Sequence, residues 1–230
     1  MMRFDLHVHT TISSCSTLKL DDILSHARAF GLDGVCLTDH DTMAIGHHVV
    51  EGIQADGLCI IIGMEYETPE GDILLFGPYE NLTPGLPART IFDHVNATGG
   101  AAIVAHPFRP GRSCADAIGR EGLPHAGESV NGRNTPHANL QARSWLTQNG
   151  IAATGGSDAH TLEELGRVIT HFPLPISSRA DMITAIQRRE FTPEITPRAP
   201  EAWRQEHGRI TPIEIVHNTP FCTDRLSHVG

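Results

Sequence analysis

Two histidines, His7 and His9, stand at alternate positions near the start of the chain, in the segment DLHVHT. Because side chains alternate between the faces of a β-strand, both imidazoles would point to one face, and Phe4, Leu6 and Val8 would point to the other. A polar strand face usually meets water, but two neighbouring imidazoles can also bind one metal ion. The spacing alone leaves both interpretations open.

Histidine and carboxylate side chains also follow four later apolar runs: Asp39 and His40 follow GVCL, Glu65 follows LCIIIGM, His106 follows AAIVA, and Asp158 and His160 follow IAATGGS. Taken singly, His106 fits a structural histidine and Asp158 fits a helix N-cap. The carboxyl ends of the strands of an α/β barrel are where its active site lies. Five predicted strand ends that carry such residues therefore predict a metal site at one edge of the sheet.

Short apolar runs alternate with amphipathic stretches, which is typical of repeated βα units. The predicted strands are 3–9, 34–38, 58–64, 72–76, 101–105, 126–130, 151–155 and 167–171, and the predicted helices are 20–30, 43–54, 88–98, 137–148 and 179–189. The Gly- and Arg-rich segment 108–128 is predicted to be a long, functional loop. After residue 193 the composition becomes Pro-rich, so we expect a barrel domain at 1–193. A C-terminal arm at 194–230 would pack on it or be partly mobile.

Composition limits the classes of function. The 230 residues are 40% hydrophobic, and no apolar run is long enough to span a membrane. An N-terminal segment without a leader pattern, and five cysteines without a C-x-x-C pair, favour a cytoplasmic, reducing location. The net charge is −10 and Lys19 is the single lysine, so we expect no stable partnership with long nucleic acid.

Five segments, DLHVHT, LTDHDT, GMEYE, AHP and GSDAH, closely resemble in this order the motifs of the polymerase-and-histidinol-phosphatase (PHP) family. The likeness covers about residues 3 to 192. It implies an α/β fold, a distorted (βα)7 TIM-like barrel with two or three divalent metals at the carboxyl ends of its strands. The implied metal ligands are His7, His9, His40, Glu65, His106, Asp158 and His160, with Glu65 bridging two ions.

The chain departs from the family pattern at two places. Ser14 and Cys15 stand where many members have an Asp or His ligand, and Leu74 stands where some members have a histidine. A cysteine thiolate can bind zinc, so Cys15 is a candidate extra ligand. These departures concern the third metal and leave the first two in place.

The implied ligand set of five imidazoles and two carboxylates favours zinc, manganese or iron over calcium or magnesium. Bound ions would make the site cationic and attract a phosphate group. We therefore expect a phosphoesterase that hydrolyses a small phosphorylated metabolite, nucleotide or short oligonucleotide through a metal-bridged hydroxide. Asp39 is expected to orient an imidazole, and Arg109, Arg112 and Arg133 to bind the substrate, with Arg109 also taking part in catalysis.

Two other functions remain open at this point. The same metals could hydrolyse an amide or lactone, although the arginine-bearing loops favour phosphate. The chain could also be a non-catalytic metal-bearing module with the Pro-rich arm as a docking segment, but its complete set of seven implied ligands argues against that. The sequence leaves the oligomeric state open.

Overall fold

The computed structural model describes residues 1–112, 115, 118 and 124–208. The described strands are β1 (Met2–Val8), β2 (Gly34–Leu37), β3 (Gly52–Ile53), β4 (Cys59–Ile62), β5 (Met64–Thr68), β6 (Gly71–Phe76), β7 (Ala101–Val104), β8 (Ala126–Asn131), β9 (Ala152–Gly156), β10 (Val168–Phe172) and β11 (Thr192–Ile195). The α-helices whose bounds are described are α1 (Leu20–His26), α2 (Ala88–Thr98), α3 (Pro136–Gln148), α4 (Arg179–Arg188) and α5 (Glu201–His207).

The strands form two sheets, with spatial orders β11-β10-β1-β2-β4-β3 and β5-β6-β7-β8-β9. The neighbours β1, β2 and β4 are parallel to one another, as are β7, β8 and β9. This confirms the predicted α/β class, because parallel neighbours require crossover connections over the face of the sheet.

The chain passes from the first sheet to the second at Gly63, between β4 and β5. A Cβ at this position would lie 2.7 Å from the carbonyl oxygen of Leu75 and 2.9 Å from the ring of Phe76, so only glycine fits. The predicted strand 58–64 is therefore divided between the two sheets.

The carboxyl ends of the strands also join the two sheets on the other side. The Ala159 N–H donates to the His7 carbonyl oxygen at 3.1 Å, and the His9 N–H donates to the Ala159 carbonyl oxygen at 2.9 Å. A second parallel bridge pairs His40 with Glu65. The sheets thus curve around a shared edge, although no continuous ladder closes them into one ring within the described residues.

Two apolar clusters hold the layers together. The first packs Ile23 of α1 and Ile91 of α2 against strands of both sheets, and the second packs Met182 of α4 against both sheets. No helix in the described ranges is long and apolar enough to cross a lipid bilayer.

Two further predicted elements differ from the structure. The segment predicted as a helix at 43–54 forms a 3-10 turn at Ala44–His47 and then β3. Gly52, the first residue of β3, has φ +112°, a conformation that no residue of a right-handed helix takes. The helix predicted at 20–30 ends earlier, because α1 stops at His26 and turns follow.

The Pro-rich segment contains elements that its sequence pattern did not reveal. Strand β11 spans the expected boundary at 193 and pairs with β10, and α5 follows it. Residues 209–230 of the expected arm, and most of the expected loop after Arg112, lie outside the described residues.

Candidate metal centre

The seven side chains implied as metal ligands lie together at the shared edge of the two sheets. They come from the end of β1, from the segments after β2, β7 and β9, and from the start of β5: His7, His9, His40, Glu65, His106, Asp158 and His160. All are buried except His40, whose side chain is 31% exposed. The strand ends therefore bring residues from both sheets to one small volume.

Glu65 lies at the centre of the cluster. Its Oε2 is 3.2 Å from His7 Nε2, 3.1 Å from His9 Nε2 and 3.2 Å from His40 Nδ1. Its Oε1 is 2.8 Å from His106 Nε2. One carboxylate thus faces four imidazoles from three chain segments, which is the arrangement that a bridging ligand needs.

Asp158 supplies an unpaired oxygen to the same cluster. Its Oδ1 accepts no hydrogen bond from the residues that the structure describes, although it is buried. The atom lies 3.4 Å from both His9 Nε2 and His160 Nδ1. A buried carboxylate oxygen without a partner is costly, and a metal ion bound there would remove that cost.

Three overlapping groups have their ligand atoms within 4.8 Å of one another: His9, His40 and His160; His7, Glu65 and His106; and His7, His9 and Asp158. Imidazole and carboxylate donors of this kind fit zinc, manganese or iron. Since the third group shares His9 with the first and His7 with the second, ions held by these groups would be neighbours.

The backbone is strained at these ligands. His106 and Asp158 have φ of +28° and +54°, and Asp41, beside His40, has φ +52°. Left-handed conformations are uncommon for non-glycine residues and concentrate at functional sites. Three of the four such residues in the described ranges are therefore at this cluster.

A buried relay orients His9. Its Nδ1 lies 3.3 Å from Ser13 Oγ, and that hydroxyl donates to Asp39 Oδ1 at 2.6 Å. Because Ser13 Oγ gives its own proton to Asp39, it accepts the proton on His9 Nδ1, which leaves His9 Nε2 free to bind a metal. Asp39 is fully buried and is connected to the His9 imidazole through Ser13, a residue that the sequence analysis did not single out.

The charges of the cluster suit cation binding. Burial acts to raise the pKa of Glu65, but the positive charge of His7 and hydrogen bonds from His106, His7 and His9 hold it well below the usual value. Burial likewise opposes a low pKa for Asp158, and the charges of His7 and Arg109 outweigh it. Burial and the neighbouring His9 lower the pKa of His160 to about 4. At neutral pH both carboxylates are ionised and His160 is neutral, the forms that bind metals. Burial opposes a high pKa for His7, but the charges of Glu65, Asp158 and Glu128 raise it well above the usual value, so a metal ion would displace a proton from this imidazole.

The three predicted substrate arginines surround the cluster, and each already has a partner. Arg109 donates to Asp158 and Asn131, and Arg112 donates to Asp72. Arg133 Nη1 lies 3.0 Å from His160 Nδ1. Arg112 and Arg133 are 45% and 40% exposed, so both can reach a molecule at the mouth of the site.

Cys15 and two further residues complete the surroundings. Cys15 is exposed and belongs to none of the three described ligand groups. Glu128 and Asn131, for which the sequence analysis assigned no role, both contact the predicted ligands from β8. Their place at the end of the predicted strand 126–130 was the sign of them in the sequence.

Comparisons with known families agree with this geometry. The PHP domain model matches residues 5–123, and the PHP-associated model PHP_C matches residues 136–191. The uncharacterized protein MJ1587 of Methanocaldococcus jannaschii is 32% identical over 119 residues, which are 47% of this chain and 70% of that protein.

Solved structures share the fold. PsfC from Pseudomonas syringae PB-5123 has a TM-score of 0.69 and 23% identity, and the match covers 87% of this chain and 94% of PsfC. A two-domain protein from Bacteroides vulgatus with a predicted PHP-like metal-dependent phosphoesterase has a TM-score of 0.63 and 19% identity, over 84% and 64% of the two chains. Endonuclease Q in complex with a 27-mer duplex substrate has a TM-score of 0.61 and 19% identity, over 81% of this chain and 56% of the endonuclease.

Proposed function

The chain belongs to the PHP domain family, and from this premise we propose that it is a metal-dependent phosphoesterase that acts on a small phosphorylated metabolite, nucleotide or short oligonucleotide. The observation that carries the proposal is the convergence of five imidazoles and two carboxylates at one edge of the fold. The Asp158 Oδ1 atom supports it, because a cation would compensate this buried oxygen, which accepts no hydrogen bond from the described residues.

Two or three zinc, manganese or iron ions bound there would polarise a phosphate oxygen and lower the pKa of a water molecule. The protein's own contribution is to place the donors before substrate arrives. Arg109 holds Asp158 from the side away from Oδ1, and Ser13 holds His9 from its Nδ1 side. Both contacts leave the atoms that face the cluster free.

The arginines at the mouth support an anionic substrate. Arg112 and Arg133 are partly exposed and stand beside the cluster, where their N–H groups can bind phosphate oxygens. The net charge of −10 disfavours long nucleic acid, so we propose that the substrate is small. The endonuclease that shares the fold acts on a duplex, which makes duplex DNA a necessary member of any substrate panel.

The proposal is tested by measuring phosphate release from phosphomonoesters, and product formation from phosphodiesters and a duplex DNA, with added manganese or zinc. The His160→Ala variant serves as the control for contaminating phosphatases. Release that requires metal and disappears in the variant is the expected result. Cleavage of the duplex alone would contradict a small substrate. If the protein binds metal but shows no phosphate chemistry, amide and lactone substrates are tested next. Their hydrolysis would favour the amide or lactone alternative, and a folded, metal-bound protein that hydrolyses none of these bonds would favour a non-catalytic module.

Replacing Arg112 by methionine is expected to raise the KM for a phosphomonoester about tenfold and to change kcat less, because a charge-assisted hydrogen bond to phosphate is lost. Arg112 is suited to this test because its partner Asp72 is not one of the seven implied ligands. Methionine keeps the apolar stem of the side chain. The kinetics are compared with those of Arg89→Met, an exposed arginine on α2 whose variant should match the wild type. An unchanged KM in the Arg112 variant would contradict phosphate binding by this residue.

A further inference from the structure

Glu128 is a buried carboxylate with no role in the hydrolysis described above. It lies on β8 and is 1% exposed. Burying a carboxylate is costly unless hydrogen bonds compensate it, and the donors to Glu128 are all connected to the metal centre. The contacts of this side chain are therefore informative about its role.

Each oxygen of Glu128 contacts a different implied ligand. Oε1 lies 3.0 Å from His7 Nδ1, and Oε2 accepts the backbone N–H of His106 at 2.8 Å. The Nδ2 group of Asn131 also donates to Oε2 at 2.8 Å. His7 belongs to β1 in the first sheet, and His106 follows β7 in the second, so one side chain ties together ligands from both sheets.

A carboxylate only accepts hydrogen bonds, so its contact with His7 places a proton on Nδ1. In the neutral ring that binds a metal, the other nitrogen, Nε2, then carries the lone pair, and it faces Glu65 Oε2 at 3.2 Å within the cluster. The bond to the His106 N–H supports the strained backbone of that residue, whose φ is +28°. Glu128 thus acts on the ring of one ligand and on the backbone of another.

We infer that Glu128 is a positioning residue, which selects the tautomer of His7 that binds metal through Nε2 and at the same time holds His106 in place. This inference rests on the metal centre of the proposed function. Partners that hold the second nitrogen of a ligand histidine fix its ring orientation and strengthen metal binding.

Gly156 provides an independent sign that the contact between Glu128 and His7 is built into the fold. A Cβ on Gly156 would lie 2.6 Å from Glu128 Oε1 and 2.6 Å from His7 Cβ. Only glycine leaves room for the carboxylate and the histidine to meet at this point. The contact between Glu128 and His7 therefore explains why the second residue of the GGSDAH segment is glycine.

The test is the Glu128→Gln variant, because an amide cannot satisfy all three donors. If its oxygen faces His7, its NH2 group meets the donors of His106 and Asn131. If it is reversed, its NH2 group faces His7 Nδ1 and requires the proton of His7 to lie on Nε2, which blocks metal binding. Zinc affinity, measured by competition with a chelator, is expected to fall about 10–100-fold.

A second readout separates positioning from general destabilisation. In zinc-saturated wild-type protein, NMR should show the Nδ1–H of His7 as a low-field resonance protected from exchange, and this resonance should be lost or move upfield in Glu128→Gln. The matched control is Glu164→Gln, since Glu164 Oε2 accepts the backbone N–H of His160 at 2.8 Å but holds no ligand imidazole through that bond. The control should keep the His7 resonance and bind zinc within about twofold of the wild type.

Unchanged zinc affinity in folded Glu128→Gln protein would overturn the inference, and so would an equal loss in Glu164→Gln. If Glu128→Gln does not fold, Glu128→Asp withdraws the carboxylate by one methylene and should weaken zinc binding in the same direction, and full affinity in that variant would overturn the inference. Neither readout uses a substrate. A wild type that binds zinc but releases no phosphate would refute the phosphoesterase proposal and leave this one standing, whereas a wild type that binds no metal would refute both.

Discussion

Replacing Glu65 by glutamine is expected to abolish metal-dependent hydrolysis and to weaken zinc binding more than 100-fold, beyond the range typical for residues that only orient a ligand. Glu65 Oε2 faces three imidazoles, and Oε1 faces His106 Nε2 at 2.8 Å. Glutamine removes the negative charge and turns one acceptor oxygen into a donor, so one set of imidazoles would meet an N–H group. No rotation of the amide restores both sides.

The measurement is chelator competition for zinc together with phosphate release from p-nitrophenyl phosphate. Glu70→Gln is the matched control, because Glu70 lies in the turn between β5 and β6 and its Oε2 accepts the Ala88 N–H at 2.9 Å, a bond that glutamine can keep. We expect the control to bind zinc and hydrolyse the ester within about twofold of the wild type. Full zinc affinity in folded Glu65→Gln protein would remove Glu65 from the metal centre.

Replacing Gly34 by alanine is expected to lower the free energy of unfolding by about 3 kcal/mol, the upper part of the usual range for overpacking a core. A Cβ on Gly34 would lie 2.1 Å from Cε1 of Phe4 and 2.4 Å from its Cζ. The Phe4 ring cannot withdraw, because it is fully buried and packs edge-on against Phe172 with ring centroids 5.9 Å apart. The clash lies between β1 and β2, the strands that present His7 and His40.

Urea unfolding of the metal-free protein measures this effect. Gly46→Ala is the control, since a Cβ there meets only the Ile62 Cδ1 atom, at 3.4 Å, and we expect a change within about 0.5 kcal/mol. Combining Gly34→Ala with Phe4→Leu should destabilise the protein less than the sum of the single changes, because leucine vacates the space that the new methyl group needs. Strictly additive losses would show that the two residues do not compete for space.

Local patterns predicted much of the fold. The alternation of apolar and polar residues located β1, and the apolar runs located β2, β6, β7 and β8 close to their observed bounds. The helix prediction at 43–54 was wrong, because only a short 3-10 turn forms at Ala44–His47 and β3 begins at Gly52. Strand β11 was missed because proline in a strand argues against one, and its residue Pro193 is tolerated at the outer edge of the first sheet.

The sequence by itself determined which side chains stand at the ends of the strands. Their types and order can be read from each short segment, because the residue that follows the last apolar position of a parallel strand lies at the carboxyl edge of the sheet. The resemblance of five short segments then pointed to the family, and the PHP domain model matches residues 5–123.

Only the tertiary structure decided how those side chains are held. Glu128 meets His7 across 121 residues of chain, and Arg109 meets Asp158 across 49 residues. Asp39 reaches His9 only through Ser13, whose position depends on the turn after β1. Such contacts depend on how two sheets curve around a common edge, and no periodicity within one segment carries that information. Short sequence motifs therefore identify the candidate ligands, whereas the protonation and orientation of these side chains depend on packing between distant segments.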